Sequence, residues 1–492
     1  MENLNKLLNF QQDICNLQYT INLLKWELKV SAPKKSEQNL IELITYYERK
    51  LFELQTSPYY GQLLKDVISD KEFSSIDDAE QRYITSMLRR YEENKRVPAD
   101  FYAKYTEFKN KSTVVWREAK ANNNYALFKP YLKQIIEMTK QYYSYLNGSS
   151  NDLYNVMLDH YEIGMTSDVI DKLFDQLKVN IKPMIPKGEK KLDVPNRVEY
   201  TDQELIDCAS TLLDYIGFDM DKGRLGIYPH GYTERMCEND IRIAFRHTND
   251  PYDFVTTIIH EGGHGIYEQN ISSNLAKYGN KSVENLYALH ESQSRFYENI
   301  LGRNINFWIP IYDDIKKKLH LDISLEEFIR ILNNPVPILK RTESDELTYC
   351  MHIILRYEIE RAIFSNEVEV DDLPDMWNEK MDKYLGIVPK KDSEGLMQDV
   401  HWAEGDFGYF PSYLLGSIYD GMFIDAIEKD IGSIDDLLKT GKIKNITSYL
   451  NDKIHKNGGA YTSKEIINKM CHKEISAEPL SDYFVKKYIK KI

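Results

Sequence analysis

His260 and His264 stand four residues apart in the segment HEGGH. On an α-helix that spacing puts both imidazoles on one face, one turn apart, where they can grip a single ion. Glu261 projects at an adjacent angle. It can reach a water that the ion activates without ligating the ion itself. A bound metal lowers the pKa of such a water towards neutrality, and a carboxylate base takes its proton during attack on a peptide carbonyl. The expected chemistry is metal-assisted hydrolysis of a peptide bond, with His260 and His264 as ligands and Glu261 as the base. Val255, Ile258, Ile259 and Ile266 supply the apolar helix around the motif. Gly262, Gly263 and Gly265 each cost roughly 1 kcal/mol against Ala in a helix interior. Three of them together predict close packing, or backbone access, beside the metal.

A hydrolytic zinc site takes three protein ligands and keeps one position open. Two downstream glutamates compete for the third place. Glu284 follows His264 by 20 positions, and Glu291 follows it by 27 in ALHESQSRFYENILG. The second segment is an amphipathic helix with Leu286, Leu289, Phe296 and Ile300 along one side. There Glu291 and Arg295, one turn apart, could simply pair in solvent. Spacing alone leaves the two glutamates level.

HEGGH followed by HESQSR resembles the carboxypeptidase Taq family of metallocarboxypeptidases, in which the Glu of the HES motif is the third ligand. The resemblance therefore implies Glu291. GLMQDVHW at 395–402 matches the family pattern GxxQDxHW. DIRIA at 240–244 matches DxRxT except that Ala244 replaces Thr, and KRTESD at 340–345 resembles IRxxAD, keeping Arg341 and Asp345. The family's HPF motif is not intact, since Tyr228-Pro229-His230 stands in its place. The similarity runs from LLKWELKVSAPK to IHKNGGAYTSKEIINK. It implies a mostly helical, cleft-containing fold, one divalent metal taken as Zn2+ with Co2+ or Mn2+ as alternatives, a homodimer, and release of single C-terminal residues from peptides.

A carboxypeptidase must recognise a free α-carboxylate, and a guanidinium fork matches its two oxygens. Arg341 is the first candidate and Arg356 the second. The competing reading for either is an ion pair with Glu343, Asp345 or Glu360. In QDVHWAEGDFGYFPSYLLG, Tyr409 could donate its phenol proton to the oxyanion that forms at the attacked carbonyl, and His401 could do the same or order the cleft. An aromatic core is the plainer reading of that segment. Asp240 and Arg242 fall on a strand beside the cleft and are candidate substrate-binding residues; Arg242 lies opposite the apolar side chains, where it could meet a substrate backbone or pair with a carboxylate. His290 and His352 are candidates to support the ligands.

The elements that must carry these residues read as mainly α with a small β element next to HEGGH. Apolar residues recur at helical spacing from residue 1 to about 180; Leu4, Leu7, Leu8, Gln11 and Ile14 share one face. PMIPKGEKKLDVPNRVEY breaks the pattern and reads as an exposed loop. Helix resumes near Asp202 and stops at Gly217. In DIRIAFRH, Ile241, Ile243 and Phe245 alternate with Arg242, Ala244 and Arg246, the period of a strand with one buried face. From residue 253 the chain reads as helix to its end, with loops near Pro335–Pro337, Gly386–Ser393 and Gly458–Gly459. The expected layout is one metallopeptidase domain over 1–492, with a helical part at 1–180, a catalytic part at 201–420 and a helical part at 421–492.

The formal net charge of -14 over 492 residues argues against the basic patch that a nucleic-acid surface or a polybasic membrane contact needs. No apolar run is long enough for a bilayer. The N-terminus lacks a basic stretch followed by an apolar one, and the five widely spaced cysteines contain no CxxC, so a cytoplasmic location is expected. Two rivals remain at this level. One is an oligopeptidase cutting internally on the same architecture. The other is an inactive metal- or peptide-binding homologue, against which Glu261 argues, because binding alone needs no base.

Overall fold

The computed structural model describes residues 2–146, 152–187, 198–279 and 286–489. Helix α1 (Glu2–Val30) opens the chain and buries Leu4, Leu7, Ile14, Ile21 and Trp26. Helices follow one another to Ile181. The predicted break lies partly on residues 188–197, outside the described residues. Helix Asp202–Ile216 begins at Thr201, whose hydroxyl accepts the Glu204 N–H while the Glu204 carboxylate accepts the Thr201 N–H. It ends at Gly217, whose φ of +99° is one that Gly reaches without a Cβ penalty.

Three strands come next: β1 (Gly223–Ile227), β2 (Tyr232–Cys237) and β3 (Asp240–Phe245). Their order is β1-β3-β2, with β3 parallel to β1 and antiparallel to β2. The strand was expected to bury one face; Ile241 through Phe245 are all buried. Ile241, Ile243 and Phe245 join the main core, while Ala244 packs with Trp26 and Met236. Helix α1 covers the second face, which the alternation of apolar and polar residues could not reveal.

Helix α2 (Pro251–Gln269) carries HEGGH. Asp250 caps it by accepting the N–H groups of Tyr252 and Asp253, and Pro251 fills the first position, where a missing N–H costs nothing. Helix α3 (Tyr287–Arg295) carries Glu291 and runs directly into a π turn at Phe296–Leu301. Helix α4 (Glu346–Phe364) is capped by Asp345, and helix α5 (Phe410–Ile431) starts beside Tyr409. Helix α3 is held between α2 and α5 at glycine distance. A Cβ on Gly263 would lie 2.6 Å from the Gln293 carbonyl oxygen, and one on Gly416 would lie 2.9 Å from the Ala288 carbonyl oxygen. Gly262 and Gly265 face Ile216 and Phe218 just as closely. The glycines of the motif are thus the packing contacts that their cost in a helix predicts. One continuous apolar core joins Leu4 to Phe484.

Candidate metal centre

Helices α2 and α3 bring His260, His264 and Glu291 together, and one donor atom from each lies within 4.8 Å of the others. Nε2 of His264 is 3.4 Å and Nε2 of His260 3.9 Å from the same carboxylate oxygen, Oε2 of Glu291. Two ligands bound at about 2.0–2.1 Å in a tetrahedral site stand about 3.3 Å apart, so these gaps have the size that one ion would bridge. The donor set of two imidazoles and one carboxylate suits a divalent cation with an open position. Glu284, the competing third ligand, lies outside the described residues.

The carboxylates and imidazoles are held ready for that task. Glu291 is 8% exposed, so the solvated ion pair considered for it is not what forms. Its Oε1 accepts from Arg295 Nε at 2.9 Å, leaving Oε2 towards the imidazoles. Burial alone would raise its pKa; His260, His264 and Arg295 instead hold it far below the ordinary carboxylate range. Burial lowers His264 to about 4, so its imidazole is neutral, as a ligand must be. Its Nδ1 is buried with no hydrogen-bond partner among the described residues, and its ring stacks on His290 at 4.5 Å. His290 in turn meets Glu268 Oε1 at 2.9 Å.

Glu261 faces the other flank of α2. Its Oε2 accepts the Thr233 hydroxyl at 2.8 Å, and burial raises its pKa. Gly231, at the end of the Tyr228-Pro229-His230 turn, comes so close that a Cβ there would lie 2.9 Å from Glu261 Oε1. Tyr228 itself continues the sheet, donating its N–H to the Phe245 carbonyl at 2.9 Å.

Arg341 is 6% exposed and bonded on three sides. Its Nε and Nη2 donate to Asp399 Oδ1 at 3.1 and 3.0 Å, and its Nη1 donates to the Tyr349 hydroxyl at 2.9 Å. Arg356 Nε takes the other oxygen, Oδ2, at 2.7 Å. The partner of both arginines is therefore Asp399 rather than Glu343, Asp345 or Glu360, and two guanidiniums share one carboxylate. Asp345 is spent on capping α4, and Glu360 accepts from Tyr154, Trp402 and Gly408. Asp399 lies within the GLMQDVHW segment, yet nothing in its spacing marks it as an arginine partner.

His401 stacks on Tyr409 at 5.5 Å and contacts the Tyr413 hydroxyl at 3.1 Å. Burial lowers its pKa to about 3, so it is a neutral group there. Tyr409 sits in a ring cluster with Tyr161, Tyr287 and Tyr413. Burial lifts its pKa well above the ordinary phenol value, and the Glu291 charge adds to this, so its proton stays on. Arg242 and Asp240 are bonded to each other at 2.8 Å through both carboxylate oxygens, with the guanidinium over Trp26. Arg242 does lie opposite the apolar side chains, as predicted, but α1 covers that face. His352 is fully buried and meets the Ile338 carbonyl at 3.0 Å.

Residues 6–488 match the family model of carboxypeptidase Taq (M32) metallopeptidase. Carboxypeptidase 1 of Bacillus subtilis is 38% identical over 478 residues, covering 95% of this chain and 94% of that protein. Thermostable carboxypeptidase 1 of Pyrococcus furiosus is 30% identical over 505 residues, 99% of each chain. The solved structure of a Pyrococcus furiosus carboxypeptidase superposes with a TM-score of 0.92 at 29% identity and covers 99% of both chains.

Proposed function

The chain belongs to the carboxypeptidase Taq family of metallopeptidases and is a metal-dependent carboxypeptidase; from that premise we propose that His260, His264 and Glu291 hold a zinc ion and that Glu261 is the general base. The observation that carries this reading is the meeting of two imidazole nitrogens and one carboxylate oxygen within 4.8 Å, with a buried carboxylate on the same helix. A zinc ion bound there supplies Lewis acidity and lowers the pKa of water to near neutrality. Glu261, its pKa raised by burial and its Oε2 oriented by Thr233, receives the proton from the attacking water and passes it to the leaving amine. Tyr409, which keeps its proton, donates a hydrogen bond to the oxygen of the attacked carbonyl, and His401 stacks behind it.

Arg341 binds the terminal carboxylate of the peptide. Two buried guanidiniums facing one Asp399 leave one positive charge uncompensated, and an incoming carboxylate balances it. Asp240 and Arg242, bonded to each other under α1, serve the site by fixing β3 beside α2. The remaining readings are a single metallopeptidase domain over 1–492, a cytoplasmic location, supported by five free cysteines, and a homodimer, supported by the family resemblance. No helix among the described residues is long and apolar enough to cross a membrane. Sedimentation of the purified protein tests the dimer, and metal analysis after purification without added metal tests zinc.

The assay that tests the substrate reading compares peptides with free and amidated C-termini. The wild type should release the terminal residue from the free acids and discriminate against the amides. Arg341→Ala should lose most activity on the free acids, on the order of 2–4 kcal/mol in kcat/KM, and little on the amides. Unchanged discrimination in Arg341→Ala would move the carboxylate to Arg356.

A further inference from the structure

The two histidines of HEGGH are held in different ways, and the difference points to a residue outside every motif of the sequence. Nδ1 of His260 lies 2.8 Å from Oε2 of Glu298, whereas Nδ1 of His264 has no hydrogen-bond partner among the described residues, its ring being stacked on His290 and its Nε2 turned to Glu291. We propose that Glu298 is a positioning residue for the metal site: it fixes His260 in the tautomer and rotation that leave Nε2 bare towards the ion. This inference rests on the ligand assignment proposed above.

For a neutral His260 the chemistry admits one proton arrangement. An ionised carboxylate only accepts, so the hydrogen shared with His260 sits on Nδ1, and in the neutral ring that a metal ligand requires the lone pair sits on Nε2. Nε2 is the atom that faces Glu291. Glu298 is itself held. Arg295 Nη1 lies 3.3 Å and Arg303 Nη2 3.8 Å from it, and Arg303 is anchored by Asn299 Oδ1 at 3.0 Å and by the Leu332 carbonyl. Arg295 also binds Glu291 at 2.9 Å. One guanidinium therefore ties the third ligand to the carboxylate that orients the first.

The backbone makes this reach possible. Glu291 and Glu298 are seven residues apart, about two α-turns, so on a regular helix they would stack some 10 Å apart along the axis. The helix changes to a π turn at Phe296–Leu301, and Glu298 lies within it. Such turns alter the facing of the residues within them and recur at functional sites. Glu298 also borders a cavity of about 290 Å³, shared with Thr256, Arg303 and Asp345.

A purely structural ion pair among Glu298, Arg295 and Arg303 would give the same burial, so the test must read the metal. Glu298→Gln keeps the shape and should bind Zn2+ 10–100-fold more weakly than wild type in a chelator competition, with altered visible bands when Co2+ is substituted. At saturating Zn2+ its kcat should fall while KM stays near the wild-type value. Glu298→Ala should be weaker still in Zn2+ binding. If Glu298→Gln lowers Tm yet binds Zn2+ within twofold of wild type, the residue is structural and the proposal fails. His264→Ala is the companion measurement. Loss of Zn2+ binding there, alongside wild-type affinity in Glu298→Gln, rejects only the role of Glu298. Retained binding in His264→Ala rejects the ligand set, and this inference with it.

Discussion

Glu261 is 6% exposed and has one hydroxyl, that of Thr233, on its Oε2. A carboxylate in that setting prefers its neutral form more than one in water does, which suits a group that must accept a proton and then release it. Glu261→Gln keeps the volume and the bond to Thr233 and removes only the proposed base. Turnover should fall by about 10²–10⁴-fold with Zn2+ content unchanged, read by steady-state kinetics beside metal analysis. At this scale the sequence was legible where chemistry depends on near neighbours. HEGGH declares itself because i and i+4 always meet on a helix. Glu291 against Glu284 could not be decided by spacing, since the loop between the helices sets which one arrives. Asp399 and Glu298 were illegible for the same physical reason: their partners Arg341 and His260 lie 58 and 38 residues away, and for Glu298 a π turn breaks the period that a reader would count.

Helix α2 meets α3 through Gly263 and α3 meets α5 through Gly416. At an exposed helix site Gly→Ala would stabilise by roughly 1 kcal/mol. At Gly263 the new methyl would fall 2.6 Å from the Gln293 carbonyl oxygen and 2.7 Å from Ser294 Cα, both backbone atoms that cannot swing aside. Overpacking of this kind costs about 1–3 kcal/mol, so the sign reverses. Gly263→Ala should lower the urea midpoint and also weaken Zn2+ binding, because the helix pushed back is the one bearing Glu291. A midpoint equal to or above wild type would contradict this contact. The cost of glycine in a helix was a usable sign of close packing, although it could not name the neighbour. The sheet shows the opposite failure. Alternation in DIRIAFRH reports that two faces differ in polarity, and Arg242 with its paired Asp240 makes the second face look wet even though Trp26 covers it.

Across the whole molecule, an apolar core from Leu4 to Phe484 has drawn histidines into its interior as neutral rings. His455 is fully buried, and burial, aided by His290, lowers its pKa to about 3. The unfolded chain binds a proton there near pH 6.5 and the folded chain does not, so the stability contribution is complete above pH 6.5. It is lost as pH falls towards 3, at about 1.4 kcal/mol per pH unit. Glu162 and Glu360, raised by burial to about 7, act in the opposite sense. The prediction is therefore a difference: between pH 7 and pH 5, wild type should lose about 2 kcal/mol more than His455→Gln in urea titrations. Equal losses would mean that His455 takes up its proton while folded. The ring also has a second consequence. His455 Nε2 meets Gln293 Oε1 at 2.9 Å, across 162 residues, on the helix that presents Glu291. A ribosome adding about 5–20 residues per second completes HEGGH many seconds before it reaches residue 455. During that interval the emerging chain holds HEGGH without the contact from His455 to Gln293, so the helix that bears Glu291 gains this support only when most of the chain has been made.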